Sequence, residues 1–150
     1  MKIHPVYPSK EEIEHLTHRL LDRSLPKAHW THAAHLVAAY SLLHRYELTE
    51  LTDKMPHIIR RYNEATQTAN TDTEGYHETI TLFYLKAIDH FIKHLPQHMD
   101  YAKGCTHLIH GPYGHKDFAL EYYSKARLFS VEARKIWVEP DLQPFKFPEI

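Results

Sequence analysis

This 150-residue chain has one cysteine, four glycines, no long apolar run and no excess of charge of either sign. The lone Cys105 rules out an intramolecular disulfide, which fits a reducing compartment. No stretch approaches the ~20 apolar residues of a membrane span. The opening Met1-Lys2-Ile3-His4-Pro5-Val6-Tyr7-Pro8 has no apolar segment of the signal-peptide kind. A cytoplasmic protein without membrane contact is therefore expected. The 18 basic and 19 acidic residues are interspersed and sum to -1, so there is no basic stripe of the sort phosphate-backbone binding needs. Nucleic acid is not an expected partner. No repeat, β alternation or low-complexity linker interrupts the chain, which reads as one domain, 1–150, able to bury roughly 70% of its unfolded surface.

Histidine is abundant, with 15 in the chain. His15, His18, His44, His90, His94 and His98 fall among polar neighbours and read as solvated surface. Histidine is the side chain whose ordinary charge change falls near neutrality, so mild acid should swing the net charge positive.

Helical periodicity dominates. Ser9 and Glu12 form a capping box ahead of Ile13, Leu16, Leu20 and Leu21, which predicts a first helix over about 9–24. Thr31 can cap a second helix running to about Tyr46, apolar nearly all the way round and so central in the fold. In a third, Leu51, Met55, Ile58, Tyr62, Ala65 and Ala69 step by four and three, with Pro56 expected to kink it or mark a restart. Ile80, Tyr84, Ile88, Phe91 and Leu95 define a fourth, ending before Pro96. A weaker helix over about 99–109, a short one near 117–124, and a turn capped by Ser130 follow. The tail with Pro140, Pro144 and Pro148 reads as an extended strap. The predicted fold is all-α: a compact bundle of about four main helices plus short C-terminal helices and a proline-containing tail.

The candidate site comes from the two places where imidazoles fall on an apolar face. Setting His32 to zero and stepping ~100° per residue puts His35 at about -60°, with Leu36, Ala39 and Leu43 within about 40°. The same projection from His77 places Ile80, Thr81, Tyr84 and Ile88 on its stripe and Glu78 at the edge. His32, His35 and His77 are thus candidate ligands of a divalent metal, zinc or iron, with Glu78 as fourth ligand or general base. Neither the His-Glu-x-x-His pattern nor the Glu-x-x-His pairs of di-iron bundles are present. The same histidines also read as buried groups hydrogen-bonded to tyrosine, threonine or backbone. Asn70 and Thr73, with Thr71, precede the His77 helix as turn residues or as the mouth of a pocket that Tyr62, Thr81 and Tyr84 line from within. Arg127 and Arg134 either hold an anionic substrate or tie the tail to the bundle. Cys105 reads as a small buried hydrophobe.

Trp30-Thr31-His32-Ala33-Ala34-His35-Leu36, Tyr62-Asn63-Glu64-Ala65, Asn70 to Thr79 with Gly75-Tyr76-His77-Glu78-Thr79, Tyr122-Tyr123-Ser124, Leu128-Phe129-Ser130 and Trp137 to Leu142 form a pattern over nearly the whole chain. On these motifs the chain resembles a group of small uncharacterised bacterial all-helical proteins, which implies one intact helical domain and leaves the function open. Three readings follow: a metal-dependent enzyme acting on a small polar molecule, a metal-free pocket for a small-molecule ligand, and an interaction protein whose histidines form a buried network.

Overall fold

The computed structural model describes residues 9–148. The opening segment, 1–8, and residues 149–150 lie outside the described residues. Within them the chain is helical and without β-strands: α1 Lys10–Leu21, α2 His32–Arg45, α3 Leu48–Ala65, α4 Glu78–Lys93, α5 Tyr101–His110, α6 Lys125–Leu128 and α7 Val131–Lys135, with 3-10 turns at Lys27–His29, Pro112–Gly114 and Phe118–Glu121. Five helices have ten residues or more, so α5 joins the four main helices expected. The segment near 117–124 forms only a 3-10 turn, Phe118–Glu121. No described helix is long and apolar enough to cross a membrane.

Local chemistry sets the ends of these helices. In α1 the Ser9 hydroxyl accepts from Glu12 N at 3.1 Å while the Glu12 carboxylate accepts from Ser9 N at 3.0 Å, satisfying two otherwise orphaned donors. α1 stops at Leu21 and α3 at Ala65, both short of the predicted ends, because Arg23 (φ 67) and Gln67 (φ 60) turn left-handed. The next amides, Ser24 N and Thr68 N, then fold back to Arg19 O (2.9 Å) and Asn63 O (2.8 Å) and close each helix. Pro56 sits inside α3 without a restart. It lacks the N–H that would reach Thr52 O, and the buried seam of Leu51, Met55, Ile59 and Tyr62 keeps the helix in place.

α2 is buried at every position from Leu36 to Leu42 and packs on α1, α4 and α5, while α4 also contacts α3 and α7. Glu14 joins three helices, accepting from Ser41 Oγ of α2 at 2.9 Å and from the Tyr101 hydroxyl of α5 at 3.0 Å. The segment after α7 is an irregular strap. Its Phe145 and Phe147 pack on the buried Phe83 of α4 at 5.6 and 5.8 Å. Three phenols hold its carbonyls: Tyr123 to Val138 O (2.7 Å), Tyr122 to Lys146 O (2.9 Å) and Tyr113 to Pro148 O (3.0 Å). On the other side of the fold Tyr62 donates to Leu25 O at 2.8 Å, fixing the loop between α1 and α2.

Tyr62 and Tyr123 are both fully buried, and removing either hydroxyl leaves a buried carbonyl without its donor. Tyr62→Phe and Tyr123→Phe are each expected to lower unfolding free energy by about 1–2 kcal/mol, read by urea denaturation. An unchanged midpoint in both would show that these bonds do not hold the loops.

Candidate functional site

A cavity of about 330 Å³ opens between α2, α3 and α4, lined by His32, His35, Leu36, Ala39, Met55, Ile59, Ile80, Thr81, Tyr84 and Leu85. The apolar walls come from all three helices. The polar groups come from the first turn of α2 and the first two turns of α4.

His35 is the group best placed to bind. Thr31 caps α2 by accepting from Ala34 N at 3.2 Å, and this cap makes Trp30 the residue just before it and His35 the fourth residue of the helix. Side chains at those two positions commonly pack together across a helix start. Here the pair is an indole stacked on an imidazole, with centroids 3.7 Å apart and planes at 27°. The indole also meets Tyr62 edge-on at 5.5 Å. Nδ1 of His35 lies 2.6 Å from Thr31 O. A carbonyl can only accept, so Nδ1 carries the proton and Nε2 keeps its lone pair. Among the described residues Nε2 has no partner, and the side chain is accessible although it lies at the cavity wall. Partial desolvation against the cavity wall and the Trp30 face, opposed by the Thr31 carbonyl and assisted by His32, lowers the pKa of the ring below the ordinary histidine value. At neutral pH His35 is therefore an uncharged acceptor with one face covered by Trp30.

His32, the first residue of α2, lines the same cavity and meets Tyr84 edge-on at 5.6 Å. Burial lowers its pKa, with the Tyr113 backbone opposing and His115 adding. Its Nε2 is buried without a partner among the described residues, as is Nδ1 of His29. Burial also pushes the Tyr84 phenol up to about 12, so it stays protonated and can donate.

The other predicted residues lie elsewhere. His77 precedes α4 with φ -130 and ψ 111, so a helical projection does not apply to it. Its Nδ1 caps the helix by accepting from Ile80 N at 3.0 Å, and its Nε2 donates to Leu128 O at 2.8 Å. Both nitrogens are thus engaged within the protein. Glu78 accepts the Tyr76 hydroxyl at 2.6 Å and is not among the cavity-lining residues. Tyr62 is committed to Leu25. Asn70 Oδ1 accepts from Tyr76 N and Asn63 Nδ2, each at 3.0 Å, while Thr73 is exposed. The predicted set therefore splits: His32, His35, Thr81 and Tyr84 share the cavity, and His77, Glu78, Tyr62, Asn70 and Thr73 do not line it. Among the described residues no three His, Cys, Asp or Glu side chains gather as a metal-holding group. Cys105 is buried and pushed up to about 12 by that burial, an inert thiol. Trp30, Met55 and Ile59 are the contributors that sequence reading missed. The spacing of Trp30 to His35 across a Thr cap is the signal that finds the first of them.

Comparison of the chain with protein-family models, with curated proteins and with solved structures finds no match.

His32, His35 and His77 all have pKa values below the ordinary histidine value, with burial the largest cause. The unfolded chain therefore binds protons that the folded chain refuses, and stability must fall as pH drops below about 6.5, down through the folded values. The His77 cap is part of this, since a protonated Nδ1 cannot accept from Ile80 N. Denaturation at about pH 7.5 and 5 should show lower stability in acid. His77→Asn, which caps without titrating, should show a shallower slope. A slope unchanged by His77→Asn, or stability rising in acid, would contradict this assignment.

Proposed function

We propose that this protein binds a small molecule with a largely apolar body and one hydrogen-bond donor in the cavity between α2, α3 and α4, with His35 as the polar anchor. The observation that carries this reading is the state of His35: Nδ1 engaged by Thr31 O, ring stacked on Trp30, and Nε2 without a partner among the described residues, on a residue that lines a mostly apolar cavity. Ligand sites commonly combine an apolar lining with a few fixed polar groups and span roughly 300–1,000 Å³, and this cavity of about 330 Å³ falls at the small end. A donor such as a hydroxyl or amide would meet Nε2, and the apolar remainder would cover Leu36, Ala39, Met55 and Ile59. Thr81 and Tyr84 complete the α4 wall, but the Thr81 hydroxyl is shared with the Tyr76 phenol and the Tyr84 hydroxyl with the Ala119 backbone, which leaves His35 as the anchor.

This supports a binding pocket over the metal-dependent enzyme. His32 and His35 bring two imidazoles to the cavity, fewer than the three protein ligands of a catalytic zinc site, and His77 and Glu78 are engaged away from it.

The test uses 2-naphthol and naphthalene as a matched pair, followed by heteronuclear NMR. Naphthol should bind saturably, with shifts centred on Trp30, His35 and Tyr84. Naphthalene should bind at least roughly tenfold more weakly, because it leaves Nε2 without a donor. His35→Phe should erase the preference, and Ala39→Trp, which fills the cavity, should abolish binding of both. Failure of 2-naphthol to bind, equal binding of naphthalene, or a stoichiometric metal in untagged protein that disappears in His32→Ala and His35→Ala, would overturn the proposal.

A further inference from the structure

A second depression, of about 210 Å³, lies at the turn before α4, lined by Arg60, Asn70, Thr71, Asp72, Tyr76, Arg134 and Lys135. Its charge differs from that of the whole chain: three cations and one carboxylate in a protein whose net charge is -1. Lys135 pairs with Asp72 at 3.0 Å. Among the described residues neither Arg60 nor Arg134 is in an ion pair, yet both are held in place. The Arg60 guanidinium lies over the Tyr76 ring at 4.6 Å. That ring is fixed in turn by its hydroxyl bond to Glu78 and by its backbone bond to Asn70. Arg134 Nη1 donates to Gly75 O at 2.9 Å and to Tyr76 O at 3.4 Å, which leaves Nη2 and Nε without an acceptor among the described residues.

The neutral lining groups also present donors. Asn70 Oδ1 is doubly occupied by Tyr76 N and Asn63 Nδ2, an orientation set by the backbone donor, so its remaining amide hydrogens have no partner among the described residues. Thr71 Oγ1 accepts from Thr73 N at 3.3 Å, leaving its hydroxyl hydrogen free to donate. Gly75 shapes the turn beneath: its φ of +82 suits glycine, and a Cβ there would lie 2.2 Å from Ala69 O. Tying the turn to α7 explains one nitrogen of Arg134. It does not explain a second guanidinium, parked on an aromatic ring with no carboxylate, beside a set of unspent donors. Guanidinium pairs with convergent neutral donors match the oxygens of tetrahedral oxyanions.

We infer that this depression is a receptor for a phosphate-type oxyanion, bound by Arg60 and Arg134 with Asn70 and Thr71 as neutral donors and Asp72 limiting its affinity. The site is separate from the cavity around His35 and does not depend on that cavity's ligand.

The probe is inorganic phosphate, titrated at constant ionic strength and followed by NMR at the amides of Asn70, Thr71, Tyr76 and Arg134, with acetate in parallel. Phosphate should bind saturably and acetate roughly tenfold more weakly. Arg60→Gln should weaken phosphate binding by about tenfold or more, the loss of one charge-assisted contact. Asp72→Asn should tighten it, an effect that a purely structural role for the turn does not produce. Shifts that grow linearly without saturation, equal binding of acetate, no loss in Arg60→Gln, or no gain in Asp72→Asn would each overturn the inference.

Discussion

A phenol hydroxyl is tolerated in a protein interior only where it finds an acceptor, and in this chain that requirement ties the irregular segments to the rest of the fold. Tyr40 donates to Tyr101 O, Tyr62 to Leu25 O, Tyr113 to Pro148 O, Tyr122 to Lys146 O and Tyr123 to Val138 O. All the acceptors but Tyr101 O, the first carbonyl of α5, are backbone carbonyls outside the helices, the kind of group that secondary structure leaves unpaired. Burial raises the pKa of all five tyrosines, so they stay protonated and keep donating across the physiological range. With no disulfide to hold the strap after α7, these bonds and the packing of Phe145 and Phe147 on Phe83 hold it.

The candidate site inherits its geometry from one of these bonds. Tyr62 holds Leu25, and the same ring meets Trp30 edge-on. Trp30 then stacks on His35, while Thr31 both caps α2 and fixes the His35 tautomer through its carbonyl. A structural tyrosine on α3 is thus connected to the polarity of an imidazole on α2 through three residues of loop. The turn before α4 repeats the arrangement with different chemistry: Tyr76 stands where Trp30 does, His77 replaces Thr31 as the cap, and Tyr76 donates to Glu78.

Local signals in the sequence translate most directly into structure. Ser9 with Glu12, Thr31 before the apolar run and Pro96 after the fourth helix mark ends that the structure reproduces within a few residues, because capping and proline act over one turn. Predicted ends at residue 24 and Ala69 overran because Arg23 and Gln67 adopt left-handed conformations that their side chains do not advertise. His77 was misplaced for a related reason. Histidine rarely caps a helix, so projecting it as a helical residue aimed it at His32 and His35, whereas its Nδ1 turns to Ile80 N. The α2 and α4 walls of the cavity are legible as apolar stripes. The α3 wall is not, because periodicity alone cannot separate Met55 and Ile59 lining a cavity from the same residues filling a core.

The two histidine clusters thus differ in the state of their rings. His77 holds its proton on Nε2 and uses Nδ1 as an acceptor, so its hydrogen-bonding capacity is spent inside the protein. His35 holds its proton on Nδ1 and keeps Nε2 for whatever enters the cavity. The most direct test is a long-range proton–nitrogen correlation spectrum of the imidazoles at about pH 7.5, where ordinary histidines are already largely neutral. A neutral His35 with its proton on Nδ1, beside a neutral His77 with its proton on Nε2, is the predicted result. A His35 that is doubly protonated, or that carries its proton on Nε2, would contradict the claim that this ring offers a free acceptor to a ligand.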